Sequence, residues 1–150
     1  MPQSLARVTL HVIFGTKLRE PMIGASIRGE LHAYVGGILG DLKCVPIAVN
    51  GTADHVHVLC GLSRTISLAD LIEEVKKSSS KWIKTKSPML RNFQWQGGYA
   101  ASSVSESNVD AVKAYVEGQE EHHRKMTFQE EYVAFLKRHH IEYDERYVWE

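Results

Sequence analysis

The sequence predicts an α+β sandwich, and three observations predict it. Four short stretches, residues 7–16, 44–49, 54–62 and 98–105, read as strands, three of them rich in β-branched, aromatic or alternating apolar residues. Apolar residues recur at helical spacing after the first and third of them. Asn50-Gly51, a tight-turn pair, joins the second stretch directly to the third. The order is therefore β-α-β-β-α-β followed by helices. It fits a ferredoxin-like split βαβ sandwich: an antiparallel sheet with helices on one face, its other face left available for a ligand.

Each element has a local cause. RVTLHVIFGT at 7–16 is the first strand. Ser26 can cap the helix that follows, whose apolar face is Ile27, Leu31, Val35, Ile38 and Leu39. In CVPIAV at 44–49, Pro46 lacks a backbone donor, which places that strand at an edge or a bulge. DHVHVLCGL at 54–62 is the third strand. Ser67-Leu68-Ala69-Asp70 fits a capping box and opens a second helix with a stripe of Leu68, Leu71, Ile72, Val75, Trp82 and Ile83. Pro88, Asn92 and Gly97 mark 87–97 as a loop, and GYAASSVS at 98–105 reads as the fourth strand. Asn108 caps a third helix running to about Lys125, with Gly118 inside it at a cost of about 1 kcal/mol relative to Ala. Thr127-Phe128-Gln129-Glu130 is another capping box, and Phe128, Tyr132, Phe135 and Leu136 share one side of its helix. The tail IEYDERYVWE carries little pattern.

With 150 residues, 43% hydrophobic and 24% charged, the chain has the size and balance of one soluble domain with a real core. No apolar run approaches the ~20 residues that span a bilayer, and MPQSLARVTLHVIF lacks the layout of a signal peptide. Cys44 and Cys60 are too few for a disulfide scaffold and suit a reducing cytoplasm. Net charge is zero, against a simple basic nucleic-acid coat, but residues 1–116 carry a basic excess and 117–150 an acidic one. Lys76, Lys77, Lys81, Lys84 and Lys86 concentrate the basic part, as a solvated helix face or a phosphate-contacting one.

Alternation along a strand puts His55 and His57 on one face and Val56, Val58 and Cys60 on the other. Two imidazoles on one face can hold one cation, although a bare His-x-His is more often an exposed strand with no ligand. A histidine-triad nucleotide hydrolase needs a third alternating histidine, and position 59 is Leu. His-Glu-x-x-His is absent, and the cysteines lack structural-zinc spacing. In NVDAVKAYVEGQEEHHRK, Tyr115 and Gln119 stand one helical turn apart beside an apolar stripe of Val109, Val112 and Val116. Alone, these are a core edge and a solvated neighbour. Combined with the histidines they form a nucleophile near three metal ligands, His55, His57 and the Gln119 carbonyl, with positions left for a phosphate oxygen. The product of attack would be a phosphotyrosine, which conserves the energy of the broken bond.

These residues resemble the single-tyrosine HUH transposases (TnpA type) of small bacterial insertion sequences, with their repeat-associated relatives. The resemblance runs over nearly the whole chain: LHVIFGTK at 10–17, DHVH at 54–57, EEVKKSSSKWIK at 73–84, WQGGY at 95–99, SVS at 103–105 and AVKAYVEGQEEHH at 111–123. TFQEEYVAFLKRHHIEYDERYVW looks like the extension some members carry, giving a single domain over 1–150 with an extension from about 126. DHVH with a later Tyr-x-x-x-Gln is specific as a pair; Ala100-Ala101-Ser102 departs from relatives that carry an aromatic after the Gly-Tyr pair.

The resemblance implies that His55, His57 and Gln119 are metal ligands and Tyr115 the nucleophile, on C-terminal helices. It implies metal-dependent cleavage and rejoining of single-stranded DNA through a 5′-phosphotyrosine, with Mg²⁺ or Mn²⁺ as cofactor; imidazole ligation favours manganese. The partners it implies are hairpin-bearing single-stranded DNA and a second copy of the chain, a homodimer whose active sites are composite in many members. Lys76, Lys77, Lys81 and Lys84 are candidates for the DNA backbone, and Trp82, Trp95 and Tyr99 for base stacking. The alternatives are a domesticated hairpin-specific nuclease, a non-catalytic ferredoxin-like DNA-binding module and a relaxase-like nuclease, the last disfavoured by the absence of a second domain.

Overall fold

The computed structural model describes residues 2–150. Four strands, β1 (Thr9–Gly15), β2 (Pro46–Gly51), β3 (His55–Gly61) and β4 (Ala100–Val104), form one sheet in the order β2-β3-β1-β4. All three pairings are antiparallel. β1 and β2 both run against β3, so they are parallel to each other and β3 splits their β-α-β unit. The architecture is the α+β, ferredoxin-like sandwich that the sequence predicts.

Helices α1 (Ala25–Asp41) and α2 (Leu68–Lys84) cover one face of the sheet. Their apolar stripes meet Leu10, Val12, Phe14, Val56, Val58 and Cys60 in the main core. Pro46 sits at a register shift at the start of β2, an edge strand, where a missing donor costs no ladder bond. Ser67 caps α2 by accepting from the Asp70 amide at 3.0 Å.

The other face is not left open, which corrects the expectation of a free ligand platform. Helices α3 (Val109–Glu117), α4 (Gln119–His122) and α5 (Phe128–Arg138) lie over it. Val116 and Val112 pack on Ala48 and Leu59. Phe128, Tyr132, Phe135 and Leu136 pack on Ile13 and Ala100. The apolar stripes of α3 and α5 need cover, and the second sheet face is the nearest apolar surface. Among the described residues, no helix is long and apolar enough to cross a membrane.

Two helix boundaries differ from the sequence reading. Helix α1 starts at Ala25 with Gly24 as its cap, not Ser26; the Ile27 amide already donates to the Gly24 carbonyl at 3.2 Å. The third helix does not run unbroken to Lys125. It ends at Glu117, and Gly118, at φ −94°, ψ 21°, separates it from α4. The Asn50 side chain takes up the Val116 and Glu117 carbonyls at 3.0 and 2.9 Å, which removes two acceptors from a continuing helix.

The capping box at Thr127 is complete, with reciprocal bonds to Glu130. The unpatterned tail docks: Trp149 meets Tyr132 and Phe128, and the Gly98 amide donates to the Glu150 carbonyl at 3.1 Å.

Candidate active site and metal centre

Strand alternation sends His55 and His57 to the α3–α5 side, and both are fully buried there. His55 is fixed from behind. Its Nδ1 lies 2.8 Å from Asp54 Oδ1 and 3.0 Å from Thr52 Oγ1, and the Phe128 ring stacks on it at 4.5 Å. A carboxylate on one ring nitrogen orients the other, Nε2, into the site. His57 Nδ1 lies 2.8 Å from His11 Nε2 on the neighbouring strand β1, an arrangement that orients His57 in the same way.

Gln119 opens α4 and is fully buried. Its Oε1 accepts from His55 Nε2 at 3.0 Å and faces His123 Nε2 at 3.1 Å, while its Nε2 donates to the Tyr115 carbonyl at 3.3 Å. Although Gly118 breaks the helix, this bond keeps Gln119 under Tyr115. Tyr115 is 38% exposed, its ring centroid 5.8 Å from that of His57 in an edge-on arrangement.

Helix α5 inserts a side chain that sequence reasoning missed. Glu131 is 3% exposed. Its Oε1 lies 2.8 Å from His57 Nε2, 3.0 Å from His123 Nε2 and 3.4 Å from His55 Nε2. Its Oε2 accepts from the Tyr115 hydroxyl and lies 3.3 Å from His122 Nε2. A signal was present: Phe128, Glu131, Tyr132 and Phe135 share one helical face, and a carboxylate within an apolar stripe needs a buried partner. His11 had a weaker signal, a polar residue between the apolar Leu10 and Val12 of a central strand.

The electrostatics follow from this packing. Burial opposes charge on Glu131, but hydrogen bonds from His123, His55 and His57 outweigh it and hold the carboxyl well below its usual range. Burial would lower His55; its bonds to Asp54, Glu131 and Gln119 overcome that and raise it to about 9. Burial dominates at His57, lowered to about 4, and at His11, lowered to about 3, so both are neutral near pH 7. Burial and then Glu131 push the Tyr115 phenol above its ordinary value.

His55, His57, His123 and Glu131 each offer a ligand atom, and these atoms lie within 4.8 Å of one another. Three imidazoles and a carboxylate, with the Gln119 carbonyl beside them, are a donor set that fits a divalent cation. Tyr115 and Glu131 also line a cavity of about 470 Å³ together with His11, Ser102, Arg138 and His139.

The lysines lie elsewhere. Helix α2 packs on the opposite sheet face, so Lys76, Lys77, Lys81 and Lys84 are separated from Tyr115 by the sheet. Lys77, Lys81 and Lys84 are exposed. Lys76 is engaged: its ammonium donates to the Gln96 and Gly98 carbonyls at 2.8 and 2.7 Å, and burial lowers it to about 8. Of the stacking candidates, Trp95 is buried and donates to Ser79 Oγ at 3.0 Å, Trp82 stacks on Tyr34, and Tyr99 is exposed. Trp95 is therefore a core residue, not a base platform.

Comparison with known proteins agrees with this fold. No curated protein matches the sequence. A crystal structure of a candidate transposase from Deinococcus radiodurans R1 aligns with a TM-score of 0.62 at 21% identity, covering 79% of this chain and 98% of that one. A REP-associated tyrosine transposase, solved bound to a REP hairpin, aligns with a TM-score of 0.57 at 13% identity, covering 79% of this chain and 70% of that one. The family model described as "Transposase IS200 like" matches residues 4–119, from before β1 through Gln119, and on that match the chain belongs to the IS200-like transposase family.

Proposed function

We propose that this transposase cleaves and rejoins single-stranded DNA at hairpin-bearing element ends through a covalent bond between Tyr115 and a 5′-phosphate. The observation that carries the reading is the position of the Tyr115 hydroxyl. Tyr115 is part-exposed and lines the 470 Å³ cavity, while its hydroxyl touches Glu131 of the buried cluster built on His55 and His57. A phenol at an enzyme surface with no chemistry to perform has no reason to be held against three imidazoles and a carboxylate.

In this reading Tyr115 Oη attacks the phosphorus. The Tyr–O–P bond forms, the bond from phosphorus to the 3′ oxygen breaks, and the phenolic proton is given up as the 3′ oxygen gains one. Joining is the reverse, with a 3′-hydroxyl attacking the phosphotyrosine. His55, His57 and Gln119 would hold the metal, Mg²⁺ or Mn²⁺. When bound, it supplies Lewis-acid polarisation of the phosphodiester and neutralises charge on its oxygens. Asp54 and His11 orient the two histidines, Gln119 holds the Tyr115 backbone, and Arg138 at the cavity wall is available to a phosphate. Lys77, Lys81 and Lys84 would meet the DNA backbone on the far side of the sheet, away from the reacting atoms. The hairpin-bound relative supports a hairpin substrate, as does family membership.

Tyr115 stands beside His57 of its own chain, with ring centroids 5.8 Å apart, so one chain can assemble the site by itself. The test mixes the protein with a hairpin-bearing single-stranded oligonucleotide and Mn²⁺ or Mg²⁺. A covalent adduct is expected on a denaturing gel, lost in Tyr115→Phe and His57→Ala. An adduct with Tyr115→Phe would overturn the nucleophile. Recovery of the adduct on mixing the two inactive variants would instead show composite sites in a homodimer.

A further inference from the structure

We propose that α5 completes the metal centre: Glu131 and His123 are metal ligands alongside His55 and His57, and the second oxygen of Glu131 holds the Tyr115 hydroxyl. This rests on the reading of His55 and His57 as metal ligands. It adds two ligands from beyond residue 119, where the match to the family model stops.

Convergence is the first argument. Three Nε2 atoms from three imidazoles approach one carboxylate oxygen at 2.8, 3.0 and 3.4 Å. They reach it from β3 and from the turn after α4, with Glu131 coming from α5. An ordinary buried salt bridge needs one partner; three nitrogens around one oxygen is the layout of donors about a shared centre. The second argument is cost. Glu131 sits on the apolar stripe of α5, where Phe128, Tyr132 and Phe135 seal the core. A buried carboxylate is expensive there and an apolar residue of similar size would pack without penalty. The third is connectivity. Glu131 is the residue that touches both the histidines and the Tyr115 hydroxyl, so one side chain sets the position of nucleophile relative to metal.

The donor set has a consequence for the cation. Three imidazoles and one carboxylate suit Mn²⁺ and other first-row ions, whereas Mg²⁺ prefers an oxygen shell. The contrary view is that Glu131 merely occupies the metal position as a plug, to be expelled when the ion binds. The two views predict opposite signs for removal of the carboxylate.

The experiment is Mn²⁺ titration of the full-length, chelator-treated protein, read by the electron paramagnetic resonance signal of free Mn²⁺ and by calorimetry. Glu131→Gln, nearly isosteric, and His123→Ala are each expected to weaken Mn²⁺ binding about tenfold or more. Circular dichroism establishes that each variant is folded, and Glu131→Asp, which keeps the charge, is expected to fall between. Unchanged or tighter Mn²⁺ binding in Glu131→Gln overturns the proposal and identifies a plug. If that result comes with a Tyr115-dependent adduct, the proposed function stands and only this inference fails. If Glu131 governs Mn²⁺ affinity but no adduct forms, the reverse holds.

Discussion

The Asn50 amide donates to the Glu117 carbonyl at 2.9 Å, tying the end of β2 to the last residue of the tyrosine helix. A second bond from the same nitrogen reaches Val116 at 3.0 Å. Together they fix where α3 stops, and therefore how Tyr115 stands over Gln119. Asn50→Ala removes both. It is expected to cost about 1–3 kcal/mol of stability in urea unfolding. If Tyr115 is the nucleophile as proposed, single-turnover adduct formation is expected to slow by about tenfold or more, because its helix loses an anchor. A stability loss with an unchanged rate would mean that Tyr115 is positioned by other contacts alone.

Gly15 shows the same dependence of chemistry on packing. A Cβ there would stand 2.5 Å from Phe128 Cε2 and 3.1 Å from the Asp54 carbonyl. Phe128 lies flat on His55, so Gly15→Ala pushes α5 away from the site. The expected cost is about 1–3 kcal/mol. Adding Phe128→Leu should restore part of that stability, and a double-mutant cycle measures it. Additive losses would place the strain elsewhere.

Stability of the chelator-treated protein should peak near the ordinary histidine value of 6.5. His57 at about 4 and His11 at about 3 stay neutral in the fold while the unfolded chain takes up protons below 6.5, so stability falls as pH drops from 6.5. His55, raised to about 9, acts in the opposite direction. Its contribution is complete below 6.5 and is lost as pH rises through about 9. Denaturant midpoints from pH 4 to 9.5 should trace a dome; a flat profile above 6.5 would mean that His55 is not held as imidazolium.

The α2 lysines should separate into two kinds. Lys77, Lys81 and Lys84 are exposed, and neutralising any of them to Gln should weaken single-strand binding and reduce the salt slope by about 0.7 per lost phosphate contact. Lys76→Gln should mainly lower stability, because its ammonium bridges α2 to the Gln96 and Gly98 carbonyls. An unchanged salt slope in all of the exposed variants would remove α2 from the DNA interface.

The fold was legible in the sequence because β1 is rich in β-branched and aromatic residues, alternation in β3 and the 3.6-residue period in α2 were clean, and Pro46 marked an edge strand; Asn50-Gly51, read as the turn, instead lies inside β2, and the hairpin turns at 52–54. Local chemistry was less reliable at helix ends. Ser26 has the better capping side chain, but the chain turns helical one residue earlier, after Gly24. Gly118 signalled weakness in the third helix; the Asn50 clamp that makes it a break comes from 66 residues away and no local pattern contains it. At the site, His55 and His57 could be paired by strand alternation and Tyr115 with Gln119 by helical spacing. Glu131 was readable as an anomaly in an apolar stripe, but its partners lie on other elements. Trp95, an aromatic in a loop segment, looked available to bases and is a core residue.

The two-sided cover of the sheet has a consequence for variation. All seven residues of β1 are buried, and so are six of the seven in β3. Neither strand has a tolerant side: one row answers to the α1–α2 core and the other to the buried histidine–glutamate cluster and the helices that close it. A change at Val56 or at His57 is therefore felt one residue away by the opposite layer, through the shared backbone. Positions free to vary are then confined to the outer helix faces and the exposed residues of the edge strands, such as Pro46 and Ser103. The two central strands are expected to tolerate few substitutions of any kind.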